Sequence, residues 1–184
     1  MSKITGGNNL IDPKIIIEKA GISERMRVAD LGCGSTGHFV FSIAETIGSD
    51  GVMYAVDILK RNLDNIEHRA KQDNLKQIKT VWSNLEIFQA TKIEASSLDA
   101  GLLINVLYQS DKRVEMMREA IRLVKKGGSL VIVDWNQSAG QFGPSLEERV
   151  NPDNLRTAGE RLGLKLIGEF NAGQYHFGMA FQKL

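Results

Sequence analysis

The sequence is short of everything that would mark it as secreted, membrane-spanning or built to grip nucleic acid. Cys33 is the one cysteine in 184 residues, which excludes an internal disulfide and suits a reducing compartment. No apolar run approaches the roughly 20 residues a membrane-spanning helix needs. The stretch MSKITGGNNLIDPK at the amino terminus lacks the apolar centre of a secretory leader. A cytoplasmic protein with no membrane span is expected. Charge of one sign is missing too: 23 Lys and Arg against 22 Asp and Glu leave a formal charge of +1. That is too little to hold a phosphate backbone, so nucleic acid is not an expected partner. Three scattered histidines and one cysteine give no cluster with metal-ligand spacing, and no metal is expected.

What is present is an ordinary globular composition, 42% hydrophobic and 24% charged, at a length suited to one domain over residues 1–184. Apolar runs of strand length alternate with segments of helical period. RVADL, VMYAV, IKTVW, GLLINVL and SLVIVDW read as strands, rich in Val and Ile and bounded by Gly, Asn or Asp. Phe39, Val40, Ile43, Ala44 and Ile47 form a helical stripe closed by Gly48, and Leu59, Leu63, Ile66 and Ala70 form a second. A third stripe runs through Val114, Met117, Ile121 and Val124, with Ser110 or Asp111 as cap and Gly127 as stop. Residues 84–92 are the least clear helix. Alternation of this kind implies a parallel sheet covered on both faces. Asn151-Pro152 opens a last helix that Gly163 ends, after which LKLIGEF and QYHFGMAFQ predict an antiparallel pair at one edge. Asp12-Pro13 starts a short helix within residues 1–25, placed to cover a pocket at the carboxyl edge of the sheet.

The stretch VADLGCGSTGHF, residues 28–39, joins the first strand to the first long helix. Strand, glycine loop and helix N-terminus together surround a polar ligand with backbone N–H groups. Gly32 and Gly34 admit backbone angles closed to other residues and let a ligand approach the main chain. The spacing Gly32-x-Gly34-x-x-Gly37 alone is weak support for a dinucleotide. Asp57, ending VMYAVD, can accept from both ribose hydroxyls; the plain alternative is a cap for the following helix. Asp30 beside the loop would repel a pyrophosphate and suits a ligand bearing an ammonium or sulfonium. The choice moves from NAD to S-adenosylmethionine.

These pieces resemble the class I, Rossmann-like S-adenosylmethionine-dependent methyltransferases, in particular the small-molecule branch with the ubiquinone and menaquinone C-methyltransferases. VADLGCGSTG is similar to the family's first motif, VMYAVDI to its second, LDAGLLINVLYQ to its fourth-strand motif, and AIRLVKKGGSLVIVDW to the approach to the fifth strand. The resemblance implies seven strands, mostly parallel with the last antiparallel. It implies that Asp30 and the loop glycines hold the methionine end, Asp57 the ribose, and Ile58 the adenine. Asn84 stands where the family has an aspartate that accepts from the adenine amino group; it keeps a carbonyl acceptor and loses the charge. The loop departs from the family's form by one residue, with Thr36 before Gly37.

The acceptor side is less defined. Methyl transfer from a sulfonium asks the protein mainly to orient the acceptor and exclude water, so no catalytic triad is required, and none is seen. Cys33 reads as packing. INVLYQ lacks the Asn/Asp-Pro-Pro-aromatic motif of enzymes that methylate base amino groups. Asn105 is a candidate cofactor contact with turn-capping as its alternative. Tyr108, Asp134 and His176 are acceptor-side candidates, and the loop DWNQSAGQFGPSLEERV is where an acceptor would be recognised. Arg149 in that loop reads as a solvated arginine rather than an anion site. Tyr175, Phe177, Met179 and Phe181 share the core face of the last strand and His176 the other. The expected activity is methyl transfer to a small-molecule acceptor. A lipid, protein or RNA acceptor, a non-catalytic S-adenosylmethionine-binding module and a nicotinamide oxidoreductase are the rival readings, and a homodimer stays open.

Overall fold

The computed structural model describes residues 7–138, 140 and 142–184. Seven strands form one sheet in the order β3-β2-β1-β4-β5-β7-β6. They are β1 (Arg27–Leu31), β2 (Val52–Asp57), β3 (Ile78–Trp82), β4 (Leu98–Ile104), β5 (Val124–Trp135), β6 (Leu164–Asn171) and β7 (His176–Lys183). Pairings from β3 across to β5 are parallel; β7 is antiparallel to both β5 and β6. This is the seven-stranded, mostly parallel architecture the sequence implies. The order reverses between β1 and β4, where open α/β sheets bind ligands outside the carboxyl ends of their strands.

Helices α1 (Pro13–Ala20), α2 (His38–Ile47) and α3 (Lys60–Gln72) cover one face, and α4 (Arg113–Leu123) and α5 (Pro152–Arg161) the other. On the first face Phe39, Ile43, Leu63 and Ile66 pack on Val28, Ala55 and Leu102. On the second, Met117, Ile121 and Leu155 pack on Leu31, Leu103, Ile132 and Phe181. Strand residues alternate between the two cores, as their pleat requires. Local chemistry sets the helix ends. Asp12 accepts from the Lys14 N–H at 2.9 Å and Asn151 from the Asn154 N–H at 3.0 Å, each one residue before a proline.

Four elements differ from the sequence expectation. The fourth strand runs from Leu98 to Ile104, because Asn105 takes φ +52° and turns the chain. Helix α4 starts at Arg113 and ends at Leu123; Ser110 accepts from the Lys112 N–H one turn early, and strand geometry begins at Val124. Val114, expected on the apolar stripe, is 41% exposed. Residues 84–92 form no helix. The Glu119 carboxylate accepts from the Gln89 and Thr91 N–H groups at 2.8 and 3.0 Å and holds that segment as a loop.

Helix α1 lies along the sheet face, not across its carboxyl edge. Its last carbonyl, on Ala20, accepts from the Ser129 hydroxyl at 2.7 Å, near the edge where the strands begin. The part that reaches the carboxyl edge is the 3-10 turn Gly7–Leu10 before it. Residues 1–6, included in the expected covering segment, lie outside the described residues.

Candidate functional site at the carboxyl edge of the sheet

Beyond Leu31 the chain turns at Gly32 (φ +98°), and the N–H groups of Gly32 and Cys33 both donate to the Val56 carbonyl, at 2.8 and 3.0 Å. The glycine loop therefore leans on the end of β2. Its three glycines are needed for three different reasons. A Cβ on Gly32 would sit 2.6 Å from Val106 Cγ2, so this glycine lets the segment after β4 close on the loop. At Gly34 (φ +66°) a Cβ would meet nothing within 4 Å; the residue faces open space. Gly37 (φ +56°) opens α2, and a Cβ there would lie 2.9 Å from Phe41 Cε2, beside the Ile66 side chain. Gly37 thus has a packing reason, independent of any ligand.

Asp57 joins both loops. Its Oδ2 accepts from the Gly34 N–H at 2.9 Å and its Oδ1 from the Leu59 N–H at 2.8 Å. Asp57 is not the cap of α3, whose N-cap position is Leu59 with no side-chain cap bond; its carboxylate holds the loop between β2 and α3 to the glycine loop. A carboxylate has about four lone-pair sites, so roughly two remain. In front of this pair lies an open cavity of about 260 Å³. Its lining includes Gly32, Gly34, Asp57 and Ile58 together with Asn84, Leu85, Val106 and Gln109. Ile58 is 53% exposed here, an apolar surface with no protein partner to cover it. Asn84 faces the same space, with its Oδ1 accepting from the Glu86 N–H at 2.9 Å. Asp30, Gly37 and Asn105 stand outside the lining.

Asp30 is 1% exposed and its Oδ2 has no hydrogen-bond partner among the described residues. Burial, and then the charge of Asp57, push its pKa up to about 7. An orphaned buried carboxylate next to a second one wants a cation or a donor. Cys33, buried between them, has its thiol pushed far up by burial and by both aspartates. It is held as the thiol and offers no nucleophile. The donor set thus fits S-adenosylmethionine: a carboxylate with free lone pairs for a diol, apolar walls at Ile58 and Leu85 for a purine, and unbalanced negative charge for a sulfonium or ammonium. It does not fit a pyrophosphate.

The acceptor-side candidates separate onto opposite faces of the sheet. Asp134 is fully buried, with Oδ1 accepting from the Trp135 N–H at 2.9 Å and Oδ2 from the Tyr108 N–H at 3.2 Å. Burial pushes its pKa up to about 7, against those hydrogen bonds. It shapes the turn after β4 and carries no free oxygen toward a cavity. Tyr108 packs half-buried against the α4 and α5 side, and burial followed by the charges of Asp134 and Glu148 raises its pKa. His176 lies on the other face, fully buried, its ring 4.3 Å from the Trp135 ring at a 42° tilt. Among the described residues both its ring nitrogens lack partners, as do Trp135 Nε1 and Asn105 Oδ1. Burial lowers the His176 pKa to about 4. Tyr175 stacks on Phe142, ring centroids 4.8 Å apart.

Arg149 is neither solvated nor an anion site. It is 4% exposed and donates to the carbonyls of Asn136, Gln137, Gly140, Phe142 and Pro144 at 2.9–3.2 Å. One guanidinium thereby fixes the loop after β5. Arg113, which the sequence does not single out, does the same for the turn after β4 through the Leu107 and Ser110 carbonyls, both at 3.1 Å. His38 bonds the Ile11 carbonyl at 2.9 Å, tying α2 to the amino-terminal segment, and His68 is exposed.

Among the described residues no helix is long and apolar enough to cross a membrane. A family model described as a methyltransferase domain matches residues 22–160. The chain is 24% identical over 118 residues to a demethylmenaquinone methyltransferase of Lactococcus lactis subsp. lactis, covering 64% of this chain and 45% of that protein. It is 24% identical over 123 residues to the protein of the same description from a Geobacillus species, covering 66% and 50%. The chain therefore spans about half the length of the curated relatives it matches. A solved structure of a SAM-dependent methyltransferase from Aquifex aeolicus superposes with a TM-score of 0.86 at 21% identity, over 97% of this chain and 93% of that one. At that identity the likeness shows the shared fold.

Proposed function

Because this chain belongs to the methyltransferase domain family, we propose that it transfers a methyl group from S-adenosylmethionine to a small-molecule acceptor. The observation that carries the reading is the pair of buried aspartates at the switch point, Asp57 with lone pairs facing the cavity and Asp30 with an orphaned oxygen. When bound, S-adenosylmethionine supplies the activated methyl group. Asp57 accepts from the ribose hydroxyls, Ile58 and Leu85 cover the purine, and Asn84 presents its amide to the purine edge. Gly34 admits the ligand close to the main chain. Asp30 supplies a negative field near the methionine end and holds no proton once a cation lies beside it. The remaining requirement is a dry, oriented place for the acceptor.

A small acceptor is supported by the names of the curated relatives, which act on a demethylmenaquinone. It is also supported by a near-neutral chain with no basic tract. Residues 1–184 then work as one domain, with the amino-terminal segment closing the acceptor end. The test is calorimetry with S-adenosylmethionine, S-adenosylhomocysteine and NAD, followed by methyl release from labelled donor over a metabolite panel. Binding of the two sulfur ligands with NAD much weaker is expected; preference for NAD ends the reading. Cofactor binding with no transfer to any small molecule leaves a binding module or a macromolecular acceptor.

A further inference from the structure

Three side chains at the carboxyl edge of the sheet, at the ends of β4 and β5 and at the start of the antiparallel β7, share an unusual condition. Asn105, Trp135 and His176 are all buried, and each carries polar atoms with no partner among the described residues: Asn105 Oδ1, Trp135 Nε1, and both nitrogens of His176. They lie together. The Trp135 and His176 rings are 4.3 Å apart, and Gly7 sits against both Trp135 and Asn105, where a Cβ would come 2.4 Å from Trp135 Cζ2 and 3.1 Å from Asn105 Nδ2. Buried polar atoms nearly always find partners, so several orphans in one contact shell mark a place where another molecule supplies them. Elsewhere the same fold satisfies comparable groups, as at Asp134 and Arg149.

We infer that Asn105, Trp135 and His176 form the acceptor subsite, that it takes an uncharged acceptor carrying a hydroxyl group, and that the Gly7–Leu10 turn is its cover. The inference rests on the methyl-transfer reading. The chemistry of the orphans sets the class. A neutral imidazole offers one donor and one acceptor, the indole one donor, and the Asn105 carbonyl one acceptor. A hydroxyl, which both donates and accepts, matches that set. Burial keeps His176 neutral. Among the described residues no lysine or arginine stacks on or hydrogen-bonds to these three side chains. An anionic acceptor would therefore enter without a counter-charge, and burial of an unpaired charge is costly. The cover is tied to the site by one side-chain hydrogen bond, Asn105 Nδ2 to Asn8 Oδ1 at 2.9 Å, and Leu10 on it is 42% exposed.

The test uses the full chain, with and without S-adenosylhomocysteine, and three fluorinated probes, 4-fluorobenzyl alcohol, 4-fluorotoluene and 4-fluorobenzoate, followed by fluorine NMR. The alcohol is expected to bind about tenfold more tightly than the toluene, the worth of a buried hydrogen bond, with the benzoate weaker than both. His176→Phe removes the two unpaired nitrogens and keeps a ring. It is expected to melt no lower than the parent and to bind S-adenosylhomocysteine within about twofold of it. The alcohol's preference over the toluene should disappear. Trp135→Phe, which deletes only the indole N–H donor and part of the ring, should reduce that preference severalfold and serves if His176→Phe does not fold. Equal binding of alcohol and toluene by the parent overturns the inference, and so does a preference that survives both substitutions. Failure of S-adenosylhomocysteine to bind strikes at the methyl-transfer reading instead, since the probe preference is measured without it as well.

Discussion

The two halves of the carboxyl edge are built on opposite plans. Around β1 and β2 the polar groups other than Asp30 Oδ2 are engaged with the backbone: Asp57 takes N–H groups from Gly34 and Leu59, and the Val56 carbonyl takes two more. The cavity beside them stands open at about 260 Å³. Around β4, β5 and β7 the space is closed by Gly7, and Asn105, Trp135 and His176 are left with orphaned atoms. Two buried aspartates run against that contrast, the satisfied one, Asp134, standing in the closed half and the orphaned one, Asp30, in the open half. Both have pKa values pushed up to about 7, but Asp134 has its two oxygens on backbone N–H groups while Asp30 keeps one oxygen bare. A ligand completes the first half by adding contacts to a formed frame. The second half must be uncovered before anything can bind. On that plan the donor binds to a preformed site and the acceptor meets a conformational step.

The contrast is broken most severely through the loop that borders the closed half. Arg149→Ala removes five charge-assisted hydrogen bonds from a 4%-exposed side chain and strands the carbonyls they served. A loss of roughly 3 kcal/mol or more is expected, read from urea unfolding. Arg149→Lys should recover little, because an ammonium cannot span five acceptors in a planar fork. Affinity for S-adenosylhomocysteine should stay within about twofold of the parent. A larger drop would mean the two halves are coupled and not merely adjacent.

The glycine loop separates packing from ligand contact. Gly32→Ala forces a Cβ to 2.6 Å from Val106 Cγ2 at φ +98°, and should cost roughly 2–4 kcal/mol of stability from strain and overpacking together. Gly34→Ala adds a methyl where nothing lies within 4 Å; about 1–2 kcal/mol of backbone strain is expected. Its methyl projects into the cavity, so it should lose more cofactor affinity than its stability cost suggests. If Gly34→Ala leaves calorimetric affinity unchanged, the cavity in front of it is not the cofactor site.

How far the sequence could be read follows the same division. The open half is local: VADLGCGSTG and VMYAVD carry their strand, turn and ligand chemistry within a few residues, and both Asp57 and Gly34 stand where that pattern puts them. The closed half depends on residues 97 and 41 positions apart in the chain, Asn8 with Asn105 and Trp135 with His176, and no periodicity reports such meetings. Asp134 and Arg149 looked like polar loop residues because nothing local reveals that backbone will surround them. Glu119 did leave a signal. It falls at i+3 from Met116 and i−4 from Leu123, on a buried stripe, so it needed a partner, which Arg122 supplies at 2.7 Å. Burial alone would raise its pKa, yet that guanidinium and two N–H donors hold it at about 2. The stability it contributes is present above about 4.5 and is lost as pH falls toward 2.

Asp57→Ala sharpens the open half. The substitution leaves ribose hydroxyls unpaired and should weaken S-adenosylhomocysteine by roughly 1–3 kcal/mol. Asn84 provides a smaller companion effect. Its oxygen already accepts from the Glu86 N–H at 2.9 Å, so Asn84→Asp should keep or improve affinity and Asn84→Leu should lower it. Equal binding by both variants would assign the purine edge to backbone alone.

The smallest effect distinguishes the two raised aspartates. A carboxyl whose pKa rises from 3.8 to about 7 on folding stabilises the fold fully below 3.8, and that stability is lost as pH climbs through 7. Asp30 and Asp134 share this slope in the free protein, so unfolding free energy should decline between about pH 4 and 7. A cationic ligand reverses the sign for Asp30 alone, because it favours the carboxylate while Asp134 stays on its backbone donors. S-adenosylmethionine, with its sulfonium, should therefore gain a few fold in affinity over neutral-sulfur S-adenosylhomocysteine as pH rises from 6 to 8. Asp30→Asn should flatten that gain, and Asp134→Asn should leave it in place. Calorimetry of both ligands across this range reads the difference directly. A gain that persists in Asp30→Asn shows that Asp30 is not the sulfonium's counter-charge.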